Sequence, residues 1–154
     1  MRLLELLEIA GYKTEGKYKD IEIVDIQSDS RQVKEGSLFV AVKGTAVDGH
    51  DYIEKAIEQG AKAIVCERST LNYQLSIINY QFILVPDSAA ALGRLASAWY
   101  GEPSQQLVLV GVTGTNGKTT IATVLYHLFR KLGYKAGLLS TVCNYIDDKA
   151  VPTE

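Results

Sequence analysis

Val110-Gly111-Val112-Thr113-Gly114-Thr115-Asn116-Gly117-Lys118-Thr119-Thr120 runs from an apolar stretch through a glycine-rich turn into Gly-Lys-Thr. Before it, Leu107 to Val112 is a continuous apolar run of strand length. After it, Ile121, Val124, Leu125, Leu128 and Leu132 recur at helical spacing, which predicts a helix from Lys118 to Leu132 closed by Gly133. A strand that turns through glycines directly into a helix belongs to an α/β layer. Lys135 to Thr141 is then expected to be a second strand, parallel to the first through a right-handed crossover.

The residue types in this turn suit phosphate. Glycines let backbone N–H groups converge on an anion, and the helix N-terminus adds partial positive charge at the same point. Lys118 can reach the β- and γ-phosphates of a nucleotide, and the Thr119 hydroxyl can serve as an oxygen ligand to Mg²⁺. The spacing is a variant of the usual G-x-x-x-x-G-K-[ST]: the first glycine would fall at position 112, where the chain has Val112, and Gly114 lies inside the loop instead. A lysine opening a helix opposes the macrodipole unless an anion offsets it, which favours a binding role over a solvated one.

Upstream, strands and helices alternate. Met1 to Gly11 reads as a short amphipathic helix, Ile21 to Ile26 as a β-rich stretch, and Leu38 to Val42 as a strand. Asp51 to Gln59 is a helical pattern, Ala61 to Cys66 a buried strand and Phe82 to Val85 another, followed by a helix capped by Asp87 or Ser88 and running to Trp99. Gly101-Glu102-Pro103-Ser104-Gln105-Gln106 is the most loop-like stretch and is expected to mark a domain boundary, with one domain over 1–102 and another over 106–154. Two strands and one helix bury too little apolar surface to stand alone, so 106–154 is expected to be the start of a longer domain.

Composition narrows the classes. Of 154 residues, 47% are hydrophobic and 22% charged, as in a folded globular chain. Sixteen basic against eighteen acidic side chains give a net charge of −2, which leaves no cationic field for a nucleic acid backbone. No run approaches the length needed to span a bilayer, and neither a membrane anchor nor a cleaved signal peptide is expected. Cys66 and Cys143 lie far apart without a CxxC, which points away from a zinc site or disulfide scaffold and towards a reducing, cytoplasmic setting. No Ser-His-Asp or Cys-His arrangement suggests a side-chain nucleophile.

Three further stretches carry the resemblance: Asp29-Ser30-Arg31-Gln32-Val33, Gly36 to Gly44, and Asp48-Gly49-His50-Asp51-Tyr52-Ile53. Together with the loop Thr113 to Thr120, they resemble the Mur ligases of peptidoglycan synthesis along essentially the whole chain. The DSR and DGH elements are shared with the D-Ala-D-Ala-adding MurF-type branch. Thr115-Asn116 and Gly137-Leu138-Leu139-Ser140-Thr141 look more like the diamino-acid-adding MurE-type branch, although Ser140 stands where many of that branch carry glycine.

The resemblance implies an N-terminal mixed-sheet UDP-binding domain followed by the start of a P-loop parallel α/β ATPase domain. It implies an ATP-dependent ligase that adds a diamino acid, meso-diaminopimelate as the commoner choice, to UDP-N-acetylmuramoyl-L-alanyl-D-glutamate through an acyl phosphate. ATP is the co-substrate, Mg²⁺ the cofactor, and a cytoplasmic monomer the expected form. Lys118 is the catalytic candidate, Gly114, Thr115, Asn116, Gly117, Lys118, Thr119 and Thr120 the ATP-binding set, and Thr119 the metal ligand. Ser30, with Ser28 and the loop Thr45, Ala46 and Val47, is expected to contact the UDP-sugar. The chain is expected to be an N-terminal fragment without ligase activity of its own. Asp29 and Arg31 either serve the ligand or pair with each other, and a hydrogen-bonding role is favoured for His50. Rival readings are a nucleotide-binding module without turnover and a small P-loop kinase or NTPase; no apolar strand ending in Asp follows the loop to support the second.

Overall fold

The computed structural model describes residues 1–45, 47–67, 80–146 and 149–152, in two units, Met1–Leu107 and Val108–Glu154. In the first unit, α1 (Leu3–Ile9) buries Leu3, Leu6 and Leu7, the i, i+3, i+4 stripe that its leucines dictate. There follow β1 (Ile26–Gln27), β2 (Leu38–Val40), α2 (Ile53–Glu58), β3 (Ala63–Glu67), β4 (Gln81–Val85) and α3 (Ser88–Trp99). Asp87 caps α3, its carboxylate accepting the Ala90 N–H at 2.8 Å.

The strands form one sheet in the order β1-β2-β3-β4, every pair parallel. Among the described residues, the mixed character expected of this sheet is confined to isolated antiparallel bridges, Arg2 with Glu22 and Lys43 with Asp48. Both faces are covered, which is why the strands read as unbroken apolar runs. Leu38, Val40, Ala63, Val65, Ile83 and Val85 face α1 and α3. Their alternating neighbours Phe39, Ala41, Ile64 and Cys66 face α2. Burial pushes the Cys66 thiol up to about 11, with the Glu67 charge adding to the effect.

The second unit contains α4 (Lys118–Lys131) and an antiparallel hairpin, β5 (Cys143–Ile146) with β6 (Lys149–Pro152). Tyr126 of α4 is buried and stacks on Tyr145, ring centroids 5.3 Å apart. Two expectations fail here. Leu107 to Val112 is not a strand; Val108 is 94% exposed, and no chain pairs with the run among the described residues. Nor is Lys135 to Thr141 a parallel strand: Leu138 instead exchanges both backbone hydrogen bonds with Tyr145, 2.9 and 2.8 Å, in an antiparallel bridge. A strand exists only against a partner, and the nearby hairpin supplies one where Leu107 to Val112 does not. For the same reason Ile121, Val124, Leu128 and Leu132, the expected apolar face of α4, are exposed.

Candidate functional site

Loops at the carboxyl ends of parallel strands are where α/β sheets bind ligands. Ser28 to Arg31 follows β1 and Val42 to Asp48 follows β2, so the two expected UDP-sugar segments share that edge of the sheet. Ser30 opens a 3-10 turn, Ser30–Gln32, and is buried, while Ser28 is exposed. Among the described residues no hydrogen bond is made by the Ser30 hydroxyl, which leaves it available to a ligand.

Asp29 and Arg31 pair with each other. The Asp29 carboxylate accepts the Arg31 N–H at 2.9 Å and its guanidinium at 2.7 Å. These hydrogen bonds, side chain first and then backbone, hold the Asp29 carboxyl well below the usual carboxylate range. The pair shapes the corner on which Ser30 sits.

After β2 the chain folds into a tight loop. Lys43 bridges Asp48, the Gly44 N–H donates to the Val47 carbonyl at 2.9 Å, and the Gly49 N–H donates to the Val42 carbonyl at 2.9 Å. Gly49 is required by close approach, since a Cβ there would lie 2.6 Å from the Val42 oxygen. Thr45 and Val47 are exposed at the tip; Ala46, expected beside them, lies outside the described residues.

His50 follows, its side chain only 5% exposed. Asp48 Oδ1 accepts from the His50 N–H at 3.0 Å and lies 2.6 Å from Nδ1. Nε2 accepts the Glu67 N–H at 3.2 Å. The Glu67 carboxylate in turn accepts the Ser88 N–H and hydroxyl, each at 3.0 Å, at the start of α3. Glu67 had no motif to reveal it in the sequence; a lone acid ending an apolar strand was the only signal.

In the second unit, Gly117 precedes α4 with φ +77, a left-handed conformation that glycine adopts without strain. No side chain caps this end and no acid occupies the first turn, so the first amides of α4 remain open to an anion. Lys118 turns back over the loop: its Nζ donates to the carbonyls of Gly114 at 2.6 Å and Thr115 at 3.2 Å. Thr119 is half-buried and Thr120 exposed in that first turn. Thr119 offers one hydroxyl, and no group of three or more His, Cys, Asp or Glu that could hold a metal occurs among the described residues. A single oxygen donor suits Mg²⁺ carried largely by phosphates and water.

A cleft of about 200 Å³, lined by Lys19, Ile21, Lys62, Tyr80 and Gln81, opens at the opposite, amino-terminal edge of the sheet and belongs to neither loop. No helix among the described residues is long and apolar enough to cross a membrane.

Comparison with known proteins matches residues 22–100 to the group described as Mur ligase family, catalytic domain, and residues 112–154 to Mur ligase middle domain. The chain belongs to the Mur ligase family. It is 66% identical to a UDP-N-acetylmuramoyl-L-alanyl-D-glutamate–2,6-diaminopimelate ligase of Parabacteroides distasonis over 88% of its length, and 54% identical to one of Bacteroides fragilis over 100%. It spans 27% and 31% of those two Mur ligases. Among solved structures, MurF from Acinetobacter baumannii matches 84% of the chain and 27% of that protein at 28% identity and TM-score 0.59. A UDP-N-acetylmuramoyl-L-alanyl-D-glutamate–2,6-diaminopimelate ligase matches 99% of the chain and 30% of that protein with TM-score 0.65; at 23% identity it speaks for the shared Mur ligase fold.

Proposed function

We propose that this chain is the amino-terminal part of an ATP-dependent Mur ligase that joins meso-diaminopimelate to UDP-N-acetylmuramoyl-L-alanyl-D-glutamate. In this reading residues 1–102 hold the UDP-substrate and residues 106–154 begin the ATP-binding domain. The observation that carries it is the turn at the head of α4, where Lys118 is held over loop carbonyls beside uncapped helix amides. The named relatives at 66% and 54% identity supply the substrate and favour the diaminopimelate reaction over the MurF-type one.

The chemistry needs no side-chain nucleophile. A carboxylate oxygen of the substrate's D-Glu attacks the γ-phosphorus and ADP departs; the diamino acid's amine then attacks the acyl carbon and inorganic phosphate departs, leaving an amide. Backbone amides of Gly114 to Thr120 and the Lys118 ammonium hold the triphosphate and offset the charge on its transferring group. Thr119 would hold Mg²⁺, which supplies further charge neutralisation when bound. Ser30, Ser28 and the Thr45 to Val47 loop orient the UDP-sugar.

The test is turnover by the full-length protein with ATP, Mg²⁺, UDP-N-acetylmuramoyl-dipeptide and meso-diaminopimelate, following phosphate release and the tripeptide product. Release that requires both acceptor substrates is expected. Release that instead requires D-Ala-D-Ala and the UDP-tripeptide would assign the MurF-type reaction, and ligase turnover by the 154-residue chain alone would contradict its reading as a fragment.

A further inference from the structure

We propose that His50 is a positioning residue for the UDP-sugar: held by Asp48 on one side and by the Glu67 amide on the other, it fixes the loop after β2 against the end of β3. The proposal rests on the substrate reading given above.

The argument starts from where β2 leaves the sheet. Ala41 donates the last ladder bond to β3, to the Val65 carbonyl at 2.9 Å. The next β3 amide directed to that side belongs to Glu67, and the imidazole Nε2 accepts it at 3.2 Å. The ring thus prolongs the sheet's hydrogen bonding past the point where the β2 backbone turns away. To accept there, Nε2 carries no proton, so Nδ1 bears the hydrogen and donates it to Asp48 Oδ1 at 2.6 Å. The same oxygen accepts the His50 N–H at 3.0 Å.

Asp48 is also the residue that closes the loop by bridging Lys43, so the ring is tied to the loop's base. Glu67 then carries the connection on to the start of α3 through Ser88. Within the loop, the Gly44 amide donates to the Val47 carbonyl and the Gly49 amide to the Val42 carbonyl, so these described residues are tied to one another and their placement follows what the base is fastened to. His50 is that fastening, and the exposed Thr45 and Val47 at the tip are the groups it places.

Two substitutions separate the ring's two bonds. His50→Asn keeps a donor for Asp48 but has no atom that reaches the Glu67 amide; His50→Gln can set a carbonyl oxygen near the place of Nε2 and restore the acceptor. In the full-length protein, calorimetric binding of UDP-N-acetylmuramoyl-dipeptide is expected to weaken about ten-fold in His50→Asn and to recover most of that in His50→Gln. Without ligand, hydrogen exchange at the Gly44 and Gly49 amides should speed up in His50→Asn and slow again in His50→Gln, with the Ala41 amide unaffected. A residue that only stabilised the fold would lower the melting temperature without this local pattern.

Equal affinity in His50→Asn and wild type overturns the brace while leaving the substrate reading intact. Wild type that fails to bind the UDP-dipeptide overturns the substrate reading and, with it, the ligand assigned to the brace. Should His50→Asn not fold, Asp48→Ala releases the ring from its other partner, and an unchanged affinity there also overturns the proposal.

Discussion

The Lys118 ammonium lies 2.6 Å from the Gly114 carbonyl oxygen, so the cation that opens α4 faces back over its own loop. A polar ligand that takes its place on those carbonyls is unnecessary; the ammonium has only to swing towards a phosphate seated on the helix amides. Lys118→Ala in the full-length protein is expected to lower ATP-dependent phosphate release by about 10²-fold or more. Titration with the UDP-dipeptide should show its affinity nearly unchanged. Loss of both would mean the loop serves the fold of the whole protein and not the nucleotide.

Ser30 should behave in the opposite way. Its hydroxyl is placed at the corner beyond β1. Ser30→Ala is expected to raise the KM for UDP-N-acetylmuramoyl-dipeptide about ten-fold while kcat stays close to wild type. Steady-state kinetics at saturating ATP would check this.

Gly49→Ala tests the stiffness of the loop base. The added methyl would meet the Val42 carbonyl oxygen at 2.6 Å and its nitrogen at 2.8 Å, both main-chain atoms with little freedom to move. A stability loss of about 1–3 kcal/mol is expected from such crowding, read from urea midpoints at unchanged m-value. No loss would mean that the backbone at Val42 and Gly49 relaxes freely.

The two thiols should react in separate phases. Cys66 is buried with its thiol pushed up to about 11, whereas Cys143 is only partly covered. A thiol reagent at neutral pH should titrate one group quickly and the second only on unfolding. Because Cys66 is a weaker acid folded than unfolded, its contribution to stability is complete below its ordinary value of 9.0 and is lost as pH rises to about 11. Cys66→Ala should flatten that alkaline decline.

Acid should act on the corner and the loop. The backbone amide of His50, then its ring, lowers the Asp48 carboxyl, as Arg31 lowers that of Asp29. Both are stronger acids folded than unfolded, so the stability they contribute is present above the ordinary value of 3.8 and is lost as pH falls further. Denaturation midpoints measured from about pH 5 to about pH 3 should fall, and fall less steeply in Asp48→Asn.

What could be read from residue order was what each segment decides for itself. The Asp87 cap and the apolar stripe of α3, the leucines of α1, and the two-sided burial of Ala63 to Cys66 follow from local chemistry and appear as expected. Pairing is a different matter. Leu107 to Val112 has the composition of a buried strand, but a strand also needs a neighbour, and apolar composition does not say which one. In the hairpin β5 to β6, the β-prone Tyr145, Ile146 and Val151 lie in a polar, Pro-containing tail that masks their strand signal. The motifs around Ser30 and His50 mark two segments that follow adjacent strands, and the sheet brings both to one edge. The Glu67 link to His50 and Ser88 could not be read, since it joins residues 17 and 21 positions apart that only the sheet brings together.

The order of strands across the sheet repeats their order along the chain, β1-β2-β3-β4. During synthesis each strand can therefore dock on an edge already laid down by its predecessor, and none has to be threaded between two that have already met. The amino-terminal unit is suited to accrete sideways as it leaves the ribosome, with α3 arriving last to seal the face that α1 has been covering since the start.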